Sequence, residues 1–389
     1  MAISVGQPES SGRKTLGPVA GWWGNIDMRI VTRLVLFTAV LVPAWMLAAD
    51  IGSMGNVALV RVPNGGQAVA GNITEGGTIH LLYNSGDIPY YVKSSDDGAS
   101  FSSPIAVVDE ASRKPGLVFS GMSMAVGKGN TVYVAMITNN WQTKLPDVPD
   151  GLIYATLAPG AKAFTPVRSL NRRPSEGFSL AADGNGDVAA SWLSGKLFAN
   201  FSRDGGRTFT PNAEINHTYL PCECCTTSAV YGADGSLAVL YRERTNNERD
   251  MYLVLVSEDG RQSRTRISST SWKIDGCPMT YYMISATKEG YVAAWPTKGD
   301  IYFARLDRNG KVLPPGEIKT PGHSGMRSGV VALGGPNGES LVAWKHEDEL
   351  GWQLYDKEGR PEGVPGSVKS PGKGAAGVVD KNGRFILFQ

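Results

Sequence analysis

The stretch SRDGGRTF at residues 202–209 repeats the pattern of SSDDGASF at residues 94–101. Both copies read S-x-D-x-G-x-[ST]-F. Aspartate and serine side chains can hydrogen-bond the backbone of a tight turn, and glycine accepts the backbone angles that other residues avoid. The closing phenylalanine is suited to anchoring the turn on an apolar core. The pattern therefore predicts a recurring turn between two strands.

Weaker copies of this turn follow along the chain at 156–164, 257–260, 307–310 and 356–359. A spacing of about 45–60 residues is expected when each copy belongs to one four-stranded blade of a propeller.

A second repeated unit precedes each turn: a glycine-containing turn, then an apolar strand that ends in an aromatic or methionine residue. Copies occur at 79–83, 132–136, 187–192, 237–241, 291–295 and 341–344, and a seventh occupies Asp380–Phe388. The segment Val57–Val62 has no blade of its own, so we expect it to complete the last blade and close the ring. The sequence predicts an all-β fold, a β-propeller of seven blades, with six blades as the alternative.

These turns resemble the Asp boxes, or BNR repeats, of the sialidase superfamily, and the resemblance covers residues 55–389. It implies an active face formed by the loops that lead from an outer strand to the next inner strand and by the loops between the second and third strands. Sialidases use three arginines, a Tyr–Glu pair and an acid aspartate. The candidates here are Arg61, Arg242, Arg327, Tyr281 (or its neighbour Tyr282) and Glu223.

The chain departs from the sialidase pattern at two of these positions. Thr226 and Thr227 stand where the resemblance would place the glutamate, and the loop at 120–124 contains no aspartate. Without paired acid and nucleophile groups, a glycosidic bond would not be cleaved efficiently. We therefore predict an exported sialidase-like propeller without sialidase activity, and we keep exo-sialidase or another glycoside hydrolase as an alternative.

All four cysteines fall in loops predicted to lie on this face. Cys222, Cys224 and Cys225 precede the fourth blade, and Cys277 precedes the fifth, so we expect Cys277 to lie within bonding reach of the other three. The same rim is predicted to carry four further polar side chains: His217, His323, His346 and Arg244.

Two interpretations of the cysteines stay open. One is structural disulfides, with Cys224 or Cys225 joined to Cys277, in a stapled binding module. The other is thiol–disulfide chemistry or a copper site of the four cysteines with Met279, because thiolates and thioethers select soft cations. A zinc site would show paired C-x-x-C elements, which we do not find. The partner on the loop face would be a small ligand, a glycan or another protein.

Composition and the N-terminal region set the remaining expectations. A net charge of +2, with scattered basic residues, argues against nucleic acid as a partner. A basic stretch at 28–33, an apolar run at 34–47 and small residues at 48–49 are typical of a secretory signal peptide. The run is shorter than the ~20 residues of a membrane span. We expect residues 1–49 to be a leader, with Met28 as a possible start, and 50–389 to be one exported, periplasmic or extracellular domain that has no stable membrane span after cleavage.

Overall fold

The computed structural model of the chain describes residues 52–54, 56–110, 112–146, 148–172 and 176–389. These residues form short β-strands, numbered β1 to β29 in chain order, joined by turns and loops. One single-turn helix, α1, covers Asn140–Thr143, and two 3-10 turns cover Pro63–Gly65 and Lys128–Asn130. The predicted all-β class is confirmed.

The strands form seven sheets, and each sheet is one blade. Blade 1 consists of β3 (Gln67–Ile73), β4 (Ile79–Ser85), β5 (Ile88–Ser94) and β6 (Ile105–Ala106). Blade 2 consists of β7 (Phe119–Gly127), β8 (Thr131–Thr138), β9 (Gly151–Leu157) and β10 (Arg168–Asn171). Blade 3 consists of β11 (Glu176–Ala182), β12 (Val188–Leu193), β13 (Leu197–Ser202) and β14 (Ala213–Glu214).

Blade 4 has an additional short strand at its start. It consists of β15 (Leu220–Pro221), β16 (Thr227–Tyr231), β17 (Leu237–Arg244), β18 (Met251–Val256) and β19 (Gln262–Arg266). Blade 5 consists of β20 (Met283–Ala286), β21 (Gly290–Thr297), β22 (Asp300–Asp307) and β23 (Ile318–His323). Blade 6 consists of β24 (Val330–Gly334), β25 (Ser340–His346), β26 (Glu349–Tyr355) and β27 (Pro361–Lys369).

Blade 7 closes the ring with strands from both ends of the described chain. It is ordered β28 (Ala376–Val379), β29 (Phe385–Phe388), β2 (Val57–Val60) and β1 (Gly52–Met54). The first strands of successive blades lie side by side around the axis, from β3 through β28 and back to β3. Seven blades and the closing N-terminal strand are confirmed, although that strand ends at Val60 rather than Val62.

The closing strand runs parallel to its neighbour, with Val57 opposite Phe385 and Val60 opposite Phe388. Because β2 leads directly into the innermost strand of blade 1, it runs in the direction of an outermost strand. It nevertheless occupies the third position of its sheet, next to β29, and β1 then pairs with it in antiparallel fashion.

The apolar second strands of the blades are buried on both sides. In β17, Val239 and Tyr241 pack toward blade 3, whereas Ala238 and Leu240 pack toward blade 5. Side chains alternate across a strand, so a sheet covered on both faces needs apolar residues at consecutive positions. This explains why the repeated unit is a continuous apolar run.

The repeated turns identified in the sequence join the third and fourth strands of blades 1 to 6. In the best-formed copy, the Asp204 carboxylate accepts hydrogen bonds from the backbone N–H and the hydroxyl of Thr208 and from the hydroxyl of Ser202. These bonds hold the pKa of Asp204 well below its usual value. Since strands alternate in direction, the cysteine loops lie on the face opposite to these turns.

The predicted leader, residues 1–49, lies outside the described residues. Within the described part of the chain, no helix has the length and apolar character needed to cross a membrane.

Candidate functional site

The loop that carries three cysteines is fixed to the end of β17. Leu220 and Pro221 pair with Arg244 and Glu243, and the Cys222 N–H donates to the Arg242 carbonyl at 2.8 Å. The chain then turns tightly, and the Cys225 N–H donates to the Cys222 carbonyl at 3.0 Å. This turn brings the three cysteine side chains together above the start of β16.

The four sulfur atoms include one disulfide and two free thiols. Cys224 and Cys277 are bonded, with their Cα atoms 6.1 Å apart, so the predicted proximity of Cys277 is confirmed. Cys222 and Cys225 are free and buried, whereas Cys277 is exposed. The Cys222 Sγ lies 3.6 Å from the Cys224 Sγ and 3.6 Å from the Cys225 Sγ. A free thiol therefore touches a disulfide sulfur.

Two buried arginines lie beneath these sulfurs. The Arg242 side chain, which is fully buried, donates from Nη1 to the Arg249 carbonyl and from Nη2 to the Pro296 carbonyl, both at 2.5 Å. Arg249, 5% exposed, donates from Nη2 to the Gly276 carbonyl at 2.9 Å. The ring of Trp272 lies 5.1 Å from the Arg242 guanidinium.

Among the described residues, no carboxylate lies within ion-pair distance of either Arg242 or Arg249. The buried carboxylates nearby are already paired, Glu243 with Arg264 at 2.6 Å and Asp250 with Arg266 at 2.9 Å. The Nε of both buried arginines, and Nη1 of Arg249, lack a hydrogen-bond partner. The Asp250 carboxylate also interacts electrostatically with Arg242, and negative charge on the sulfurs would add to that compensation of the buried arginines.

The thiol pair supplies that negative charge. The hydrogen bond with Cys222 and the positive charge of Arg242 lower the pKa of Cys225 to about 6, although burial opposes this. The hydrogen bond with Cys225, together with burial, raises the pKa of Cys222. Cys225 is therefore the more acidic thiol of the pair, and the Thr280 hydroxyl lies 3.4 Å from the Cys225 sulfur.

The residues predicted from the sialidase pattern do not form a substrate site around Arg242. Arg242 is fully buried, and both of its Nη atoms donate to carbonyls in the core, so its guanidinium is not open to a substrate in this structure. The Tyr282 hydroxyl donates to the Thr226 carbonyl and accepts from the Arg242 N–H at 3.0 Å, and burial raises its pKa well above the usual value. Tyr282 therefore joins neighbouring blades as a neutral phenol.

The remaining sialidase candidates lie at the surface. Glu223 is exposed, and its carboxylate accepts from the Gly195 N–H at 2.5 Å. Tyr281 is 39% exposed, and Arg61 and Arg327 are exposed. The Arg327 N–H donates to the carbonyl of half-buried Met279 at 2.8 Å.

Each of the three rim histidines lies near a side chain that does not belong to the cysteine loop. His217 precedes the cysteine loop, with its Nδ1 3.8 Å from Glu214. His323 ends β23 and lies 3.1 Å from Asp300, while His346 ends β25 with its ring 6.2 Å from that of His323. Arg244 is exposed at the end of β17.

Among the described residues, the grouping able to hold a metal ion consists of Cys222, Cys224 and Cys225, whose sulfurs all lie within 4.8 Å of one another.

Sequence reasoning missed Arg249, Thr280 and Trp272. The loop after β17 leaves its strand on the same face as the cysteine loops, which placed Arg249 near the site in principle. Thr280 follows Cys277 by three residues and could have been found for the same reason. Trp272 lies in the irregular segment after β19 and carries no such signal.

No family model matches the chain, and no curated protein matches it. Solved structures do share its fold. An ulvan lyase from a new family of polysaccharide lyases, bound to -[GlcA(1-4)Rha3S]-, is 13% identical with a TM-score of 0.52 and covers 85% of this chain and 88% of its own. Virginiamycin B lyase from Staphylococcus aureus is 12% identical with a TM-score of 0.45, and the match covers 82% of this chain and 90% of the lyase chain. At 13% identity, the likeness to the ulvan lyase shows the propeller fold alone.

Proposed function

We propose that this propeller is an exported protein whose cysteine site, formed by the four cysteines with Arg242 and Arg249, exchanges its disulfide with external thiols. The observation that carries the proposal is the 3.6 Å contact between the free Cys222 sulfur and the Cys224 sulfur of the Cys224–Cys277 disulfide. Disulfide exchange proceeds by attack of a thiolate on a disulfide sulfur, so this contact is the arrangement that exchange requires. Disulfides persist in oxidising compartments, which fits export.

The outer step takes place at the exposed sulfur. A thiolate from an external thiol attacks the Cys277 sulfur, a mixed disulfide forms, and Cys224 leaves as a thiolate. A second external thiolate then attacks the external sulfur of that mixed disulfide, and Cys277 leaves. Two external thiols become one disulfide, and the two electrons remain on the thiols of Cys224 and Cys277.

The inner step moves the disulfide without any external reagent. As the Cys222 sulfur attacks the Cys224 sulfur, its proton passes to the Cys225 thiolate 3.6 Å away, a Cys222–Cys224 bond forms, and Cys277 leaves as a thiolate at the surface. The number of disulfides is unchanged. The positive charges of Arg249 and Arg242 lower the pKa of Cys222 against the opposing effects of the Cys225 hydrogen bond and burial, which assists loss of the proton from the attacking sulfur.

A purely structural staple explains less of the site. It accounts for the Cys224–Cys277 bond, but it requires neither two buried free thiols nor two buried guanidinium groups without carboxylates. A sialidase is also disfavoured, because Arg242 bonds backbone carbonyls, and we expect no turnover of a fluorogenic sialoside.

The test is disulfide mapping. The oxidised protein is incubated with reduced glutathione without oxygen, quenched with acid, alkylated and digested for mass spectrometry. We expect two alternative products on different molecules: glutathione on Cys277 with Cys224 reduced, and a Cys222–Cys224 disulfide with Cys277 reduced. In Cys222→Ser the adduct on Cys277 should persist while the linked peptide disappears. If the Cys224–Cys277 peptide survives unchanged in the folded wild type, the proposal is wrong.

Binding of a soft cation is the second candidate, and the grouping of three cysteine sulfurs within 4.8 Å favours it. Copper(I) prefers thiolate ligands. Half-buried Met279 is the further ligand that the sequence predicts. Titration of the reduced protein with copper(I) under a competing chelator tests this candidate, and the absence of stoichiometric binding would exclude it.

A further inference from the structure

We infer that the Cys224–Cys277 disulfide is a switch for metal binding: its reduction creates a buried site of three thiolates for one soft monovalent cation, and its formation abolishes that site. The inference rests on the proposed exchange, which supplies the two electrons from two external thiols. It adds to the exchange site the binding of a monovalent cation, which the state of the disulfide controls.

The geometry suits three sulfur ligands. A metal–sulfur bond of about 2.3 Å places the sulfurs of a trigonal site about 4 Å apart. The Cys222 sulfur is 3.6 Å from each of the other two, and all three lie within 4.8 Å of one another. Small side-chain rotations are therefore enough to bring three thiolates onto one cation.

Charge selects the kind of cation. Three thiolates and a monovalent cation carry a net charge of −2, and Arg242 and Arg249 together carry +2. The neighbouring carboxylates of Glu243 and Asp250 are already balanced by Arg264 and Arg266. Counting these two arginines, the reduced site is neutral with copper(I) or silver(I) and carries a charge of +1 with a divalent cation, so a monovalent cation matches the site better.

The disulfide controls the number of ligands. While Cys224 is bonded to Cys277, the site offers the two free sulfurs of Cys222 and Cys225. When the bond is reduced, Cys224 joins Cys222 and Cys225, and the exposed Cys277 stays outside the set. Replacing Cys277 should therefore give a protein that is permanently able to bind the cation.

The experiment is anaerobic titration with copper(I) against a chromophoric chelator, using the full chain as oxidised wild type, reduced wild type and Cys277→Ser. We expect one copper(I) per chain in reduced wild type and in Cys277→Ser, with near-ultraviolet thiolate-to-copper absorption. We expect oxidised wild type to bind at least about 10-fold more weakly. Cys224→Ser should bind weakly whether or not reductant is present.

A second pair of variants tests the charge argument. Arg249→Gln should weaken copper(I) binding by about 10–100-fold in the reduced protein. Arg244→Gln, which removes an exposed arginine from the same rim, should leave binding unchanged.

Equal affinity of oxidised and reduced wild type would overturn the inference, and so would unchanged copper(I) binding in reduced Cys224→Ser. If Cys277→Ser does not fold, the two wild-type preparations decide the question. Disulfide mapping without copper tests the exchange separately, so a failure of metal switching leaves that result intact.

Discussion

A side chain at Gly177 would overlap the backbone of Cys225: a Cβ built on this glycine meets the Cys225 carbonyl oxygen and lies 2.5 Å from the Thr226 Cα. The inner strand of blade 3 thus supports the cysteine loop of blade 4 through a direct backbone contact. Glycine also accepts the φ of +38° at this position, which lies outside the range most residues adopt.

We predict that Gly177→Ala lowers the free energy of unfolding by about 1–3 kcal/mol, because the cysteine loop must move outward. The inner exchange step should slow as the Cys222 and Cys224 sulfurs separate. Urea denaturation and disulfide mapping measure the two effects. Gly86→Ala is the control, since Gly86 also has a positive φ, of +61°, but has open space around its Cα.

The serine that opens an Asp box should contribute measurably to stability. Ser94 is buried, and its hydroxyl accepts from the Gly98 N–H at 2.9 Å and donates to the Asp96 carboxylate at 2.7 Å. We expect Ser94→Ala to cost about 1–3 kcal/mol in urea denaturation, because a buried N–H loses its acceptor. The neighbouring Ser95 is exposed, and Ser95→Ala should change stability by no more than about 0.5 kcal/mol.

Loss of the disulfide should destabilise the fold without abolishing it. The Cys224–Cys277 bond closes a loop with a sequence separation of 53, for which the chain-entropy model gives about 4 kcal/mol. We expect Cys277→Ser to lower the free energy of unfolding by about 2–4 kcal/mol. A reductant should lower the stability of the wild type similarly and leave that of the variant unchanged. An equal effect of reductant on both proteins would contradict this prediction.

Acid should destabilise the protein through His80. This side chain is 1% exposed, its Nδ1 lies 2.7 Å from the Tyr91 hydroxyl, and its Nε2 has no partner. Burial, and secondarily the charge of Lys93, lower its pKa to about 4. Between about pH 6.5 and pH 4 the unfolded chain therefore binds a proton that the folded protein does not, and stability falls as the pH falls.

The expected contribution of His80 to this loss is up to about 3 kcal/mol. Urea denaturation at pH 7 and pH 4.5 measures it. His80→Gln should lose less stability than the wild type between the two pH values, whereas His217→Gln, which alters an exposed histidine, should behave like the wild type. An unchanged pH dependence in His80→Gln would show that another group controls acid unfolding.

The repeated turns and strands predicted the ring because each copy carries its own local instructions. An aspartate and a phenylalanine at the spacing of Asp204 and Phe209 indicate a turn in each copy. The number of repeated apolar strands then predicts seven blades. The proximity of Cys277 to the cysteine loop followed from topology, since the loops before neighbouring inner strands must be close. These features depend on periodicity, which a sequence displays directly.

The details of the site depend on side-chain contacts that periodicity does not encode. Whether Cys224 or Cys225 bonds Cys277 is decided by the tight turn at Cys222–Cys225, which buries one sulfur and leaves the other accessible. Arg242 ends an apolar strand as a substrate-binding arginine would, but the carbonyls of Arg249 and Pro296 hold it in the core. The third position of β2 in its sheet, next to β29, could not be predicted either, because a strand's apolar pattern does not show which strand it pairs with.

The pairing of the first and last strands also sets a schedule for synthesis. The Asn56 side chain donates to the Gly383 carbonyl across a separation of 327 residues, and the buried strand Val57–Val60 has no sheet until Phe385–Phe388 exists. At a translation rate of about 5–20 residues per second, the nascent chain must hold this apolar strand without its partner β29 for tens of seconds. For that interval an open ring with an unprotected edge is the species that chaperones must shield from aggregation.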